Sequence, residues 1–309
     1  MGRKIILDCD PGHDDAIAII MAGLSDDIEL LGVTTVAGNS YLENTTRNAL
    51  IITELAGIDV EVYPGAAKPL VRDQIVAHDI HGYSGLEGAD LKEPTKKPSK
   101  EDAVHFMAKM IKENENVTIV ATGPLTNVAL FAKMYPQLIG KVREIVIMGG
   151  GIAFGNVTPA AEFNIYADPE AADIVFKLDV PKTLAPLDLT HQAYIQKDDV
   201  EKIRQFGSDI LNTIADLLEF FMKTYKEVFG IDGAPLHDPT TIAYLIEPDM
   251  FEWEDYYIEV ELKGKSTYGA TVTDIWKVTK KKPNFRVLTK IDRGEFIKLL
   301  LKLMGKLKK

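Results

Sequence analysis

The sequence predicts an α/β protein: an open, mostly parallel sheet with helices on both faces, a Rossmann-like core, and a helical excursion near its active site. Three observations predict it. Strand-like and helix-like segments alternate through the first half of the chain. The strand-like runs "VTIVAT" and "EIVIMGG" are continuous and rich in β-branched residues, as strands buried on both faces are. Strand–helix–strand units of this length pair parallel strands through a crossover helix. The 309 residues could make one large domain or two ordinary ones. No internal repeat or low-complexity tract breaks the pattern, so a single domain over residues 1–309 is expected.

The elements follow in order. "KIILDCD" is a short β-type run, and "HDDAIAIIMAGL" has helical spacing and a glycine, Gly23, near its end. "IELLGVTTVAG" is the next strand and "YLENTTRNALIITELAG" the next helix, closed by Gly57. Residues 71–100 differ: "HDIHGYSGLEGADLKEPTKKPSK" is rich in Gly, Pro and Lys without a sustained period, which predicts a flexible, functional loop. "PLTNVALFAKMYP" between the two β-branched runs reads as a helix with proline in its first turn. A helical segment is expected over about 198–230, through "DILNTIADLLEFFMKTYKEVFG". The β-like runs "YYIEVEL" and "FRVLTKI" and a final helix complete the chain.

Composition excludes several function classes. A net charge of −11 repels phosphate and disfavours nucleic acid as a partner. One cysteine, Cys9, forbids an intrachain disulfide and fits a reducing compartment. Its place in an apolar strand reads as a buried small hydrophobe rather than a nucleophile. No run of 18 apolar residues occurs and "MGRKIILDCDPG" lacks a signal-peptide core, so a cytoplasmic protein without a membrane partner is expected. The basic end "LLLKLMGKLKK" reads as a solvated helix with one apolar face.

"ILDCDPGHDDAIAII" places Asp8, Asp10, Asp14 and Asp15 within eight positions where a strand gives way to a helix. Alternation puts Asp8 and Asp10 on one strand face, and Asp14 and Asp15 fall in the first helical turn. Capping and the helix dipole account for one or two of these carboxylates, not for those at the strand end. A hard divalent cation, Ca²⁺ or Mg²⁺, would hold all of them. The carboxyl ends of parallel strands are also where open α/β sheets bind ligands. Thr122, Asn39, the loop bearing Asn156, Glu162 and Asn164, and the pair His237–Asp238 are all expected at that edge.

"DCDPGHDDAIAI" resembles the aspartate signature of the calcium-dependent nucleoside hydrolases, the inosine–uridine-preferring family. "VAGN", "HGYSGLEG", "ATGPLTN", "MGG", "GNVTPAAEFNIYADPEAA" and "HDPTTIAYL" follow in that family's order over roughly residues 3–290. The resemblance implies hydrolysis of the N-glycosidic bond of uridine, cytidine or inosine to base and ribose, by a water bound to one Ca²⁺ per chain. It implies Asp10 as metal contact and general base, with Asp15, the Thr122 carbonyl and Asp238 as further ligands. Asp14, Asn39 and Asn164 would hold the 2′- and 3′-hydroxyls, Asn156 and Glu162 the 5′-hydroxyl. Met148 and Phe163 would pack near the ribose and base. His237 would donate a proton to the leaving base. His81 on the loop, with Tyr225 and Phe229 on the helical segment, would wall the base pocket. Some pyrimidine-preferring relatives carry an amide and a tyrosine where this chain has Tyr225 and Phe229, so the preferred base stays open. The resemblance also implies nucleoside catabolism and salvage, and a homo-oligomer, a tetramer before a dimer. Two other readings compete: an aspartate-based Mg²⁺ phosphotransferase or phosphatase, which would need a lysine in the site, and a non-catalytic Ca²⁺-containing nucleoside- or sugar-binding protein.

Overall fold

The computed structural model describes residues 2–308. Its central sheet has eight strands, built first from β1 (Arg3–Cys9), β2 (Ile28–Thr35), β3 (Val62–Pro64), β4 (Thr118–Ala121), β5 (Glu144–Met148) and β6 (Lys182–Ala185). Their order is β3-β2-β1-β4-β5-β6, all parallel, followed by the parallel strand Phe285–Ile291 and an antiparallel edge strand, Phe251–Tyr256. The mostly parallel sheet expected from the alternating pattern is therefore present. β3 and β6 carry no sequence signal of their own, being three and four residues long. "YYIEVEL" divides: the edge strand ends at Tyr256, and Ile258–Val260 pairs with Thr271–Thr273 as a separate ribbon.

Side-chain alternation along the buried strands divides the core in two. Ile5, Leu7 and Cys9 face one apolar cluster, with α1 (His13–Leu24) and α2 (Leu42–Leu55). The short α3 (His78–His81) packs Ile80 on the first cluster too, whereas Ile6, with Ile145 and Ile147, faces the second, with α4 (Ala103–Glu113), α5 (Thr126–Met134), α6 (Phe163–Ala167) and α7 (Pro169–Phe176). Asp102 caps α4 by accepting the backbone N–H groups of Val104 and His105. The last helix, Arg293–Met304, docks its apolar face, including Leu300 and Met304, into the first cluster. Cys9 lies fully buried there. Among the described residues no helix is long and apolar enough to cross a membrane.

Two segments rise above the carboxyl ends of the strands. The long helix Asp209–Phe229 is one, capped by Ser208 and ended by Gly230 in the left-handed conformation (φ 70°). Residues 71–100 are the other, irregular except for α3. Their inner half is tied down: Asn48 Nδ2 donates to the Ser84 carbonyl (2.9 Å), Ser40 Oγ to that of Tyr83 (3.3 Å), and Thr224 Oγ1 to that of Ile80 (2.9 Å).

Beneath the site, Asn127 cross-links β1, β2 and the segment that follows β3. Its amide donates to Asp8 Oδ1 (2.8 Å) and the Thr35 carbonyl (3.0 Å), and its oxygen accepts the Ala66 N–H (2.8 Å). Asn127→Ala leaves these buried groups short of partners. It should lower unfolding free energy by about 1–3 kcal/mol, read as a fall in the urea midpoint at unchanged slope.

Candidate active site

Because β1, β2, β4 and β5 run parallel, their carboxyl ends meet at one edge and present Asp10, Asn39, Thr122 and Met148 there. Two helix N-termini point at the same place: α1, with Asp14 and Asp15 in its first turn, and Pro239–Ile246, preceded by Asp238. Oxygens of Asp14, Asp15 and Asp238 lie within 4.8 Å of one another, and all three residues are buried. Asp15 is held by Gly12 N–H (3.0 Å) and Asn39 Nδ2 (3.3 Å) on one oxygen and by the Thr122 hydroxyl (2.8 Å) on the other.

Asp10 sits beside this group and not within it. Its Oδ2 accepts the Asn39 backbone N–H at 2.7 Å, and its buried Oδ1 has no partner among the described residues. Gly38 and Gly123 leave it room: a β-carbon on Gly123 would stand 2.6 Å from Oδ1, and one on Gly38 would collide with Oδ2. Asp8, expected on the same face as Asp10, is not part of the cluster. β1 ends at Cys9, so strand alternation stops applying there. The Asp8 carboxylate bonds instead to Thr34 (2.6 Å) and Asn127 (2.8 Å).

Burial pushes these carboxyls up. Asp8 and Asp14 rise to about 7, Asp14 also through the charge of Asp15. Asp10 and Asp238 rise well above the carboxylate range, first by burial and then by their acidic neighbours. Asp15 rises too, opposed by the N–H of Gly12 and the Thr122 hydroxyl. No lysine or arginine lines the cavity above them among the described residues. A buried, all-oxygen donor set with one unpartnered carboxylate oxygen fits a hard divalent cation.

That cavity has a volume of about 290 Å³. Asp14, Asn39, Thr122, Met148, Asn156, Glu162, Phe163, Asn164, Asp238, His81, Tyr225, Phe229 and His237 all line it. Of the expected site residues only Asp10 and Asp15 do not; they lie below its floor. Asn164 Nδ2 donates to the Thr122 carbonyl (2.7 Å), so that carbonyl already has one partner and one lone pair left. Asn156 Oδ1 accepts the Phe163 N–H (2.9 Å), which leaves its amide NH₂ for a ligand. Glu162 is the N-cap of α6: its carboxylate accepts from Gly150, Asn164 and Ile165, and burial raises it to about 7.

On the opposite wall, both His237 nitrogens are engaged, Nδ1 with Thr190 Oγ1 and Nε2 with the Tyr225 hydroxyl, each at 2.7 Å. Burial holds His237 and His81 far below the usual histidine range. His81 meets His13, which burial lowers to about 4. His13 and Thr190 escaped the sequence reading. A polar residue in the fully buried start of α1 is the one signal that could have marked His13; Thr190, 47 residues from its partner, offers none.

The comparisons decide between the readings. Residues 5–298 match the family described as "Inosine-uridine preferring nucleoside hydrolase". The chain belongs to this family. It is 50% identical over 303 residues to the "Pyrimidine-specific ribonucleoside hydrolase RihA" of Enterobacter sp. (strain 638), covering 97% of each chain. It is 49% identical, with the same coverage, to the protein of that name in Salmonella typhimurium. Among solved structures, it superposes on the "Purine-Preferring Ribonucleoside Hydrolase from Gardnerella vaginalis" with a TM-score of 0.93 at 32% identity over 99% of both chains. The protein is accordingly a ribonucleoside hydrolase acting on N-glycosyl bonds, which displaces the phosphotransferase and the non-catalytic binding protein.

The raised carboxyls have a consequence for stability. In metal-free protein Asp8, Asp14 and Glu162 titrate near 7 when folded, against roughly 4 unfolded. The folded chain therefore binds more protons between those values, and stability falls as pH rises through that window. Chelator-treated protein should melt lower at pH about 8 than at pH about 5, and a hard divalent cation should raise the melting temperature most at the higher pH.

Proposed function

We propose that the chain hydrolyses pyrimidine ribonucleosides, uridine and cytidine ahead of inosine, with one Ca²⁺ in the carboxylate cluster. The observation that carries the chemistry is the unpartnered Oδ1 of Asp10 beside three mutually close, buried carboxylates. The pyrimidine preference rests on the names of the relatives at 49–50% identity.

Asp14, Asp15 and Asp238, with the free lone pair of the Thr122 carbonyl, would hold the ion, and Asp10 stands against them. When bound, such an ion acidifies a water and anchors neighbouring hydroxyl groups of a sugar. The rest is done by the chain. Asn39 fixes one oxygen of Asp10 and so aims the other, which takes the proton of the attacking water. Asn164 and Asn39 orient the 2′- and 3′-hydroxyls, and Asn156 and Glu162 the 5′-hydroxyl, holding the ring for attack at C1′. The buried carboxylates stabilise the positive charge that spreads over C1′ and the ring oxygen as the bond breaks. A single attack by water inverts C1′.

On the leaving side, His237 cannot reach the base while both its nitrogens are bonded within the protein. We place Tyr225 between them: its hydroxyl accepts the Nε2–H of neutral His237, whose Nδ1 accepts from Thr190, and so turns its own proton toward the departing base. Any proton it gives up is replaced from solvent once the base has left. His81, Phe163 and Phe229 complete the base wall, and Met148 packs below the ribose.

Self-association into a cytoplasmic homotetramer belongs to the same proposal. Ile275, Trp276 and Val278 are exposed on the turn after Thr271–Thr273, an apolar surface that a second copy would cover. Sedimentation should give a mass above that of one 34.2 kDa chain, reduced by Trp276→Lys.

Incubation with uridine, cytidine, inosine and their 5′-phosphates tests the activity. Free ribose should appear from the first two, little from the phosphates, and none after exhaustive chelation until Ca²⁺ is restored. Asp10→Ala should cost roughly 10²–10⁴ in turnover, the worth of a general base. Chelator-resistant ribose release would refute the metal assignment.

A further inference from the structure

His81 is a base-wall residue whose hydrogen bonding is set from outside the cavity. Its ring lines the cavity, and Nε2 makes no hydrogen bond to the described residues. Its Nδ1 turns to the start of α1, where it lies 3.1 Å from His13 Nδ1 and 3.3 Å from the His13 backbone N–H. His13 does not line the cavity. Its ring stacks on Phe220, Phe221 and His81, with centroids 5.3–5.4 Å apart.

The proton positions follow from one contact. His13 Nε2 lies 2.7 Å from the Glu87 carbonyl. A carbonyl only accepts, so Nε2 carries the proton of the neutral ring and Nδ1 is bare. A bare nitrogen at 3.1 Å calls for a proton on His81 Nδ1, because the alternative sets two lone pairs against each other. The backbone N–H of His13 pulls the other way, over a longer distance. The side chain and the main chain of one residue thus favour opposite tautomers of His81, and the nearer contact is the side chain's.

We infer that His13 is a positioning residue: its Nδ1 accepts the Nδ1 proton of His81 and leaves a bare Nε2 there as acceptor for an N–H group of the nucleobase. Uracil and cytosine both carry such a group, on the ring or on the exocyclic amine. The base-contacting part rests on the nucleoside reading; the tautomer does not. Glu87 joins the relay through its carbonyl, so the loop that carries His81 also carries the group that sets its partner.

Two substitutions separate this role from mere packing. His13→Phe keeps the ring stack and removes the acceptor. His13→Asn gives up the stack and returns an acceptor near the place of Nδ1. With ¹⁵N-labelled histidine, nitrogen–proton correlation NMR on resting enzyme reads each tautomer, and His81 is identified by the signal lost in His81→Gln. Wild type and His13→Asn should show His81 protonated on Nδ1, and His13→Phe on Nε2, where only the backbone donor remains. The KM for uridine should rise roughly three- to tenfold in His13→Phe, the range expected of one neutral hydrogen bond, and recover in His13→Asn, with smaller changes in kcat. A wild-type His81 protonated on Nε2, or a His13→Phe variant closer to wild type than His13→Asn in tautomer and KM, would overturn the inference. Should the tautomers behave as stated while no nucleoside is cleaved, His13's hold on His81 stands and the substrate assignment falls.

Discussion

Four carboxylates buried side by side where two helix N-termini meet are the constraint to which the rest of the molecule is fitted. Burial alone disfavours their charge, and each raises its neighbours. The fold answers with partial charges: the N-termini of α1 and of Pro239–Ile246, worth about 0.3–1 kcal/mol each to an anion, the N–H groups of Gly12 and Asn39, and the Thr122 hydroxyl. None of these is a full positive charge, and among the described residues no lysine or arginine lines the cavity. A cluster so provided is organised for a cation that arrives from outside. The parallel sheet is what brings its parts together, since only parallel neighbours end β1, β2 and β4 at the same edge.

Within the cluster, hydrogen bonding divides labour among like residues. Asp15 has both oxygens engaged by protein donors. Asp10 has one engaged and one bare. A carboxylate clamped at one oxygen is held in one orientation, and the bare oxygen is the one to which our proposal gives the proton of the attacking water. Gly38 and Gly123 serve the same end, because a side chain at either would push Asp10 off its position.

Much of this was legible in the sequence. Asp10, Asp14 and Asp15 crowd one short stretch, Asp238 stands immediately before a helix-opening proline, and Thr122 closes a β-branched run. Those are local signals, and the elements they mark fall where expected. What was not legible depends on contacts across the chain. Asp8 follows the strand alternation that should join it to Asp10, yet the turn at Pro11–Gly12 begins one residue too soon, and Asn127, 119 residues away, claims it. His237 reads as a free proton donor until Thr190 and Tyr225 are seen on its two nitrogens. The helical pattern of Asp209–Phe229 shows that Tyr225 and Phe229 share a face, but not that the first is buried on His237 while the second stays at the rim.

The two walls of the cavity differ in how they are built. The wall we propose for the sugar rests on strand ends and helix N-termini, whose places are fixed by the sheet: Asn39 after β2, Thr122 after β4, Met148 ending β5, Glu162 capping α6. The wall we propose for the base is made by segments laid over the sheet, α3 with its loop and the helix Asp209–Phe229, joined through Thr224 and through the stack of His13, His81 and Phe221. A substitution on the first wall disturbs the core; one on the second alters what the cavity admits. That division fits a family in which a relative named for purines superposes almost completely on this chain while relatives 49–50% identical to it are named for pyrimidines. The sugar that bears the cut bond is the same in each, so the sheet can stay. The base varies, and the variable wall is tied back to the aspartate-bearing turn at few places: the contact between α1 and α3, the stack of His13 on Phe220 and Phe221, and Asn48, which bridges the Pro11 and Ser84 carbonyls.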